Sequence, residues 1–131
     1  MDRELRENHL IRLWDKFPVK RWDLLSKNSN ININLVLAHI KEDWNWSYLS
    51  RNDGITICDV LENPDMPWNF MGLSYNKSIT FEFVKAFPKK EWDWRGLSCN
   101  SNITWEIVRD NLDKPWDWTH LSRNRFGKRK E

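Results

Sequence analysis

The dipeptide Leu-Ser returns at a fixed step of 24 residues, at Leu25-Ser26, Leu49-Ser50, Leu73-Ser74, Leu97-Ser98 and Leu121-Ser122. An asparagine follows each, two positions on: Asn28, Asn52, Asn76, Asn100 and Asn124. Ile31, Ile55, Ile79 and Ile103 keep the same step, as do Val36, Val60, Val84 and Val108. Two aromatic columns run beside them, Trp44, Trp68, Trp92, Trp116 and Trp46, Phe70, Trp94, Trp118. A fixed period of this length marks a repeat array, in which one small unit cannot bury its own apolar face and does so by stacking on its neighbours.

The unit reads as two short helices. Asn32, Thr56, Thr80 and Thr104 are good N-cap residues for the first, because a side-chain oxygen there accepts from an unpaired amide of the first turn. Isoleucine precedes each cap and valine stands four after it, the N′-to-N4 hydrophobic staple. Glu82 and Glu106 fall in the first turn, favoured by the helix dipole, and Pro64 and Pro88 stop the segment. Asn45, Asn69, Asp93 and Asp117 cap the second helix, with Trp before and the Leu of Leu-Ser four after. The asparagine beyond is read as its closure, in the left-handed conformation that Asn tolerates past a helix end. The first helix is expected to run two or three turns and the second about two, too short to persist alone.

The expected fold is therefore all-α: a short helical-repeat solenoid with a 24-residue repeat of two short helices and an N-terminal capping helix, of a handedness the sequence does not fix. Residues 1–124 form one domain, with the cap at 1–16 and about five repeats over 17–124; residues 125–131 are a basic C-terminal tail. In the cap, Leu10, Leu13, Trp14 and Phe17 share one helical face. The first repeat, FPVKRWDLLSKN, aligns with FPKKEWDWRGLSCN if two residues are missing after Trp22-Asp23. Past the fifth Leu-Ser no further first helix follows, so the last unit exposes an apolar flank unless Phe126 folds back or a second copy covers it.

Composition narrows the partners. The 131-residue chain carries a net charge of +2, but residues 123–131 hold five Lys/Arg against one Glu, which leaves −2 for the rest. The basic character belongs to the tail. No signal-peptide core and no membrane-length apolar run is present, so the expected location is the cytoplasm of the producing cell, with the nucleus as an alternative. Cys58 and Cys99 occupy unrelated repeat positions, as free thiols would. Three N-x-S/T triplets, at Asn45, Asn76 and Asn102, read as by-products of the repeat.

The repeated residues carry little chemistry. Five serines in one column lack a His or carboxylate in matching register; each reads as a small contact residue whose hydroxyl bonds the carbonyl one turn back. His9, His39 and His120 fall at three different repeat positions without metal-ligand spacing, and no nucleophile–base set or phosphate loop recurs. No enzyme, metal or cofactor is expected. The tryptophans would serve either as core filling between short helices or as a stacking ladder for bases; several are followed by aspartate, which repels phosphate, and this favours the core. Recognition then falls to the positions that do not recur. On the second helix these are Ser47, Tyr48, Arg51; Met71, Gly72, Tyr75; Arg95, Gly96, Cys99; and Thr119, His120, Arg123. The residues expected to contact a protein partner are Tyr48, Arg51, Met71, Tyr75, Arg95, His120 and Arg123, since Tyr and Arg are typical interface anchors.

The segments LSCNSNITWEIVRDNLDKPWDWTHLSRN (97–124) and WNFMGLSYNKSITFEFV (68–84) resemble the tryptophan-rich short repeats encoded by giant DNA viruses of amoebae, mimivirus-like and marseillevirus-like. PWDW, LSxN and ITWE at this spacing carry the resemblance over about residues 17–124. It implies an uncharacterised viral repeat protein made inside a host cell, with the virion as an alternative location, and supplies no catalytic residue. The function expected is a non-catalytic scaffold binding a host or viral protein, without membrane contact, with a homodimer through the C-terminal end as a further expectation. Nucleic-acid binding through the basic tail and aromatic residues is the alternative.

Overall fold

A computed structural model describes residues 21–126, and among them every regular element is an α-helix. In chain order these are α1 (Trp22–Ser26), α2 (Ile33–Ala38), α3 (Trp46–Arg51), α4 (Ile57–Glu62), α5 (Phe70–Leu73), α6 (Phe81–Ala86), α7 (Trp94–Cys99), α8 (Trp105–Asp110) and α9 (Trp118–Leu121). The expected capping helix, His9 and the end of the basic tail lie outside the described residues. No described helix is long and apolar enough to cross a membrane.

The caps fall where the sequence places them. Asn32, Thr56, Thr80 and Thr104 accept from the amides of Leu35, Asp59, Phe83 and Ile107 at 3.0–3.3 Å. Asn45, Asn69 and Asp117 accept from Tyr48, Gly72 and His120 at 2.6–3.0 Å, and Asp93 from Arg95 at 3.0 Å. Thr56 and Asp59 close a reciprocal capping box. The staple residues Ile31, Ile55, Ile79 and Ile103 are buried with Val36, Val60, Val84 and Val108.

The helices are shorter than expected, four to six residues, which is at most about 1.7 turns. The asparagine column also differs from the sequence reading. Asn52 and Asn100 leave their helices extended, at φ −66° and −75°, and among the described non-glycine residues only Phe126 has positive φ. The asparagine is not a left-handed stop; it reaches into the neighbouring unit. Asn52 Nδ2 donates to the carbonyls of Ser26 and Asn28 at 2.8 and 2.9 Å. Asn76 Nδ2, whose residue is 1% exposed, donates to Ser50 and Ile55 carbonyls at 2.9 and 2.8 Å. Asn100 reaches the carbonyl of Asn76 at 3.0 Å, and Asn124 those of Ser98 and Asn100 at 2.7 and 3.0 Å. Each Oδ1 accepts the amide two residues on, as in Asn52 with Gly54 at 2.8 Å. The carbonyls of Ser26, Ser50 and Ser98 at the helix ends thereby gain a partner, and those of Asn28, Asn76 and Asn100, which already accept an isoleucine amide, gain a second.

The serine column makes the second link between units. Ser26, Ser50 and Ser98 donate to the carbonyls of Trp22, Trp46 and Trp94 at 2.6 Å, and Ser74 to that of Phe70 at 2.8 Å. Each hydroxyl also accepts the backbone N–H of the next unit's cap residue, Asn45, Asn69, Asp93 or Asp117, at 2.9 Å. Ser122 departs from this and bonds Thr119 O instead.

Rings make the third link. Trp44, Trp68, Trp92 and Trp116 are buried, and each indole N–H donates to the carbonyl five residues back at 2.8–2.9 Å. Each is met edge-on by the second aromatic of the preceding unit: Trp22–Trp44, Trp46–Trp68, Phe70–Trp92 and Trp94–Trp116, with centroids 5.0–5.2 Å apart. Such T-shaped pairs suit the ring quadrupole. Trp22 thus stands where Trp46 stands, and α1 keeps the 24-residue step. The two-residue gap expected after Trp22-Asp23 is not present. What the first unit lacks is the cap side chain: Arg21, at the N-cap, makes no such bond. Trp46 packs against both apolar clusters and joins them into one core. At the far end Phe126 folds back, its ring 6.4 Å from Trp105, while Trp105 and Trp118 remain 50% and 54% exposed.

Candidate interaction surface

The cap-and-ladder bonds fix the buried side of each second helix, and so fix what its other side presents. Arg51, Met71, Tyr75, Arg95 and Arg123 are exposed; Tyr48 and His120 are half-buried. The two glycines of the stripe, Gly72 and Gly96, are buried. A Cβ on Gly96 would lie 2.8–3.0 Å from the Tyr75 ring, so Gly96 is the floor on which Tyr75 rests.

Much of the stripe is linked from unit to unit. Lys27 Nζ sits 4.2 Å from the centroid of the Tyr48 ring, and the Arg51 guanidinium 4.5 Å from that of Tyr75. Tyr75 Oη donates to Asp93 Oδ2 at 3.1 Å, and Asp93 holds Arg95 at 3.3 Å. Burial raises the Tyr75 phenol above its ordinary pKa, and the hydrogen bond to Asp93 adds to the rise. Burial alone would raise Asp93 too, but the bonds from Arg95 and Tyr75 outweigh it and hold its carboxyl low. Asp117 is also held low, first by the His120 amide and then by the imidazole. His120 Nδ1 lies 2.9 Å from Asp117 Oδ1 but off the line of a hydrogen bond. Tyr48, Arg51, Tyr75 and Arg95 are thus each engaged by a neighbouring side chain.

Cys58 and Cys99 are free and exposed. Burial, then the carboxylates of Asp117 and Asp93, push the Cys99 thiol up, away from the thiolate that reacts. Among the described residues no group of three His, Cys, Asp or Glu could hold a metal ion.

Among the described residues, two of the open grooves border these side chains. One, of about 330 Å³, is lined by Lys27, Tyr48, Arg51 and Asn52. The other, of about 280 Å³, lies beside Trp68, Phe70 and Met71 and is bordered by Lys89, Lys90 and Glu91; there Lys90 Nζ sits 5.0 Å from the centre of Phe70. Sequence reasoning missed Lys27, Lys89, Lys90 and Asp93. Lys27 was discoverable, since Lys27, Arg51, Tyr75, Cys99 and Arg123 share one 24-residue column. Comparison with protein-family models, with curated proteins and with solved structures finds no match for this chain.

Proposed function

We propose that the chain is a non-catalytic α-solenoid that holds a protein partner along the stripe of its second helices. The observation that carries this is a division of labour. The recurring Ser and Asn side chains and the buried Trp44, Trp68, Trp92 and Trp116 are taken up by bonds within and between units, whereas Arg51, Met71, Tyr75, Arg95 and Arg123, which vary, are exposed. Arg51, Met71, Tyr75, Arg95 and Arg123 supply the arginine, aromatic and methionine contacts enriched at interfaces. Contacts such as Arg51 on Tyr75 reduce the side-chain entropy lost on docking. The repeat motifs support placing the protein in a virus-infected host cell. The edge-on burial of Trp44, Trp68, Trp92 and Trp116 weighs against their use as a base-stacking ladder.

The test is affinity capture from infected cells, followed by mass spectrometry, with nuclease-treated and untreated extracts. One specific protein should be retained by the native chain and released by a folded Met71→Asp, Tyr75→Ala, Arg123→Glu variant. Equal recovery by the variant, or capture that vanishes with nuclease, contradicts the reading.

A further inference from the structure

The variable row is not uniformly charged, and of its cations without a carboxylate partner among the described residues, Lys27 and Arg51 share one groove. Arg95 is met by Asp93, Lys77 by Asp53 at 3.2 Å, and His120 lies against Asp117. Lys27 and Arg51 have no such partner among the described residues: their contacts are the faces of Tyr48 and Tyr75. Together with Tyr48 they line the groove of about 330 Å³. Asn52, its fourth wall, has its amide committed to Ser26, Asn28 and Gly54, so it closes the groove without competing for the cations. Ammonium and guanidinium are donor-only groups, and here each is held over a ring, one unit apart.

We infer that this groove seats a carboxylate of an acidic segment on the protein partner, with Tyr48 packing along the stem of the acidic side chain. This rests on the protein-partner reading above and names the chemistry of one part of it. The groove's size sits at the small end of ligand pockets, room for a side chain and not for a folded ligand. A carboxylate fits two cations better than a nucleic-acid strand does, because residues 1–122 carry a net −2 and phosphate backbones need an extended positive field. Charge-assisted bonds from Arg and Lys to a carboxylate are short and strong, and rings that fix the cations lower the entropic cost of making them.

The experiment is a titration of the full ¹⁵N-labelled chain, followed by NMR, with the peptide acetyl-Leu-Glu-Glu-Leu-amide and its Gln-Gln counterpart as probes. A short oligothymidylate and inorganic phosphate are run in parallel. The Glu peptide should shift the Arg51 side-chain Nε and the signals of Lys27 and Tyr48, binding at least about tenfold more tightly than the Gln peptide. A Lys27→Gln, Arg51→Gln variant with otherwise unchanged spectra should lose that preference. Equal binding of both peptides, undiminished binding by the variant, or tighter binding of the oligonucleotide or phosphate at these signals would overturn the assignment. If it falls while the Met71, Tyr75, Arg123 variant still releases the captured protein, the scaffold reading stands and only the groove's ligand is wrong.

Discussion

The hydroxyl of Ser50 joins two units: it accepts the backbone N–H of Asn69 at 2.9 Å while donating to the carbonyl of Trp46 at 2.6 Å. One oxygen thus ties the end of α3 to the start of α5, and it is fully buried. Ser50→Ala leaves the part-buried Asn69 N–H without its acceptor, which should cost about 1–2 kcal/mol in chemical denaturation. Ser122→Ala should cost roughly 0.5 kcal/mol or less, because Ser122 is exposed and bonds only Thr119 O. Equal effects would mean that the column acts through size alone.

Asn76 donates to carbonyls in the preceding unit from a buried position. Asn76→Asp removes the donor and sets an acceptor against acceptors. A loss of roughly 2–4 kcal/mol follows, read as a lowered denaturation midpoint with unchanged slope.

Among the rings, Trp92 is buried and engaged by Phe70 and by its own N–H bond to Phe87 O. Trp92→Ala should cost about 3–5 kcal/mol. Trp118→Ala, at a ring 54% exposed, should cost roughly 1 kcal/mol. Emission spectra should agree: removing Trp118 deletes a red-shifted component, whereas removing Trp92 deletes a blue-shifted one.

Two buried glycines should respond differently to a methyl group. On Gly72 a Cβ would lie 2.8 Å from the backbone oxygen of Ser47, which cannot move without shifting α3. On Gly96 it would meet the Tyr75 ring, which can swing outward. Gly72→Ala should therefore destabilise by about 1–3 kcal/mol. Gly96→Ala should leave stability nearly unchanged but displace Tyr75 from Asp93, lowering the phenol pKa toward its ordinary value in an ultraviolet titration.

The Tyr75–Asp93–Arg95 link also sets a pH dependence. The folded-state pKa of Asp93 lies below its ordinary value, so its contribution is present above about pH 4 and fades as pH falls through the lowered pKa. Tyr75 has a raised pKa; its contribution is present below about pH 10 and is lost as pH rises through the raised value. Asp93→Asn keeps a capping oxygen but removes the acid-side titration. The stability gap between native chain and variant should shrink from pH 6 to pH 2.5 in thermal melts.

The repeat length, helical class, caps and staples are legible in sequence because they are local: Thr80 before Phe81, or Ile79 and Val84 flanking the first turn, state their role within six residues. The asparagine column was misread for the opposite reason. Asn76 serves carbonyls 21 to 26 residues away, and nothing local to LSYN distinguishes a ladder from a helix stop. The double use of Ser50 was invisible on the same ground, since only its bond to Trp46 is local. In the candidate surface, the exposed side of α3, α5 and α7 follows from periodicity. The contact of Tyr75 with Asp93 does not, because it joins different repeat positions across two units.

The central claim is that units cohere through hydroxyl-to-amide bonds between neighbours, and hydrogen exchange measured residue by residue tests it most directly. The N–H groups of Asn45, Asn69, Asp93 and Asp117 precede their helices and, within their own unit, have no helical partner; their acceptors are the serines of the preceding unit. They should exchange as slowly as the amides inside α3 and α7. Exchange at the rate of solvent-exposed loop amides would contradict the account.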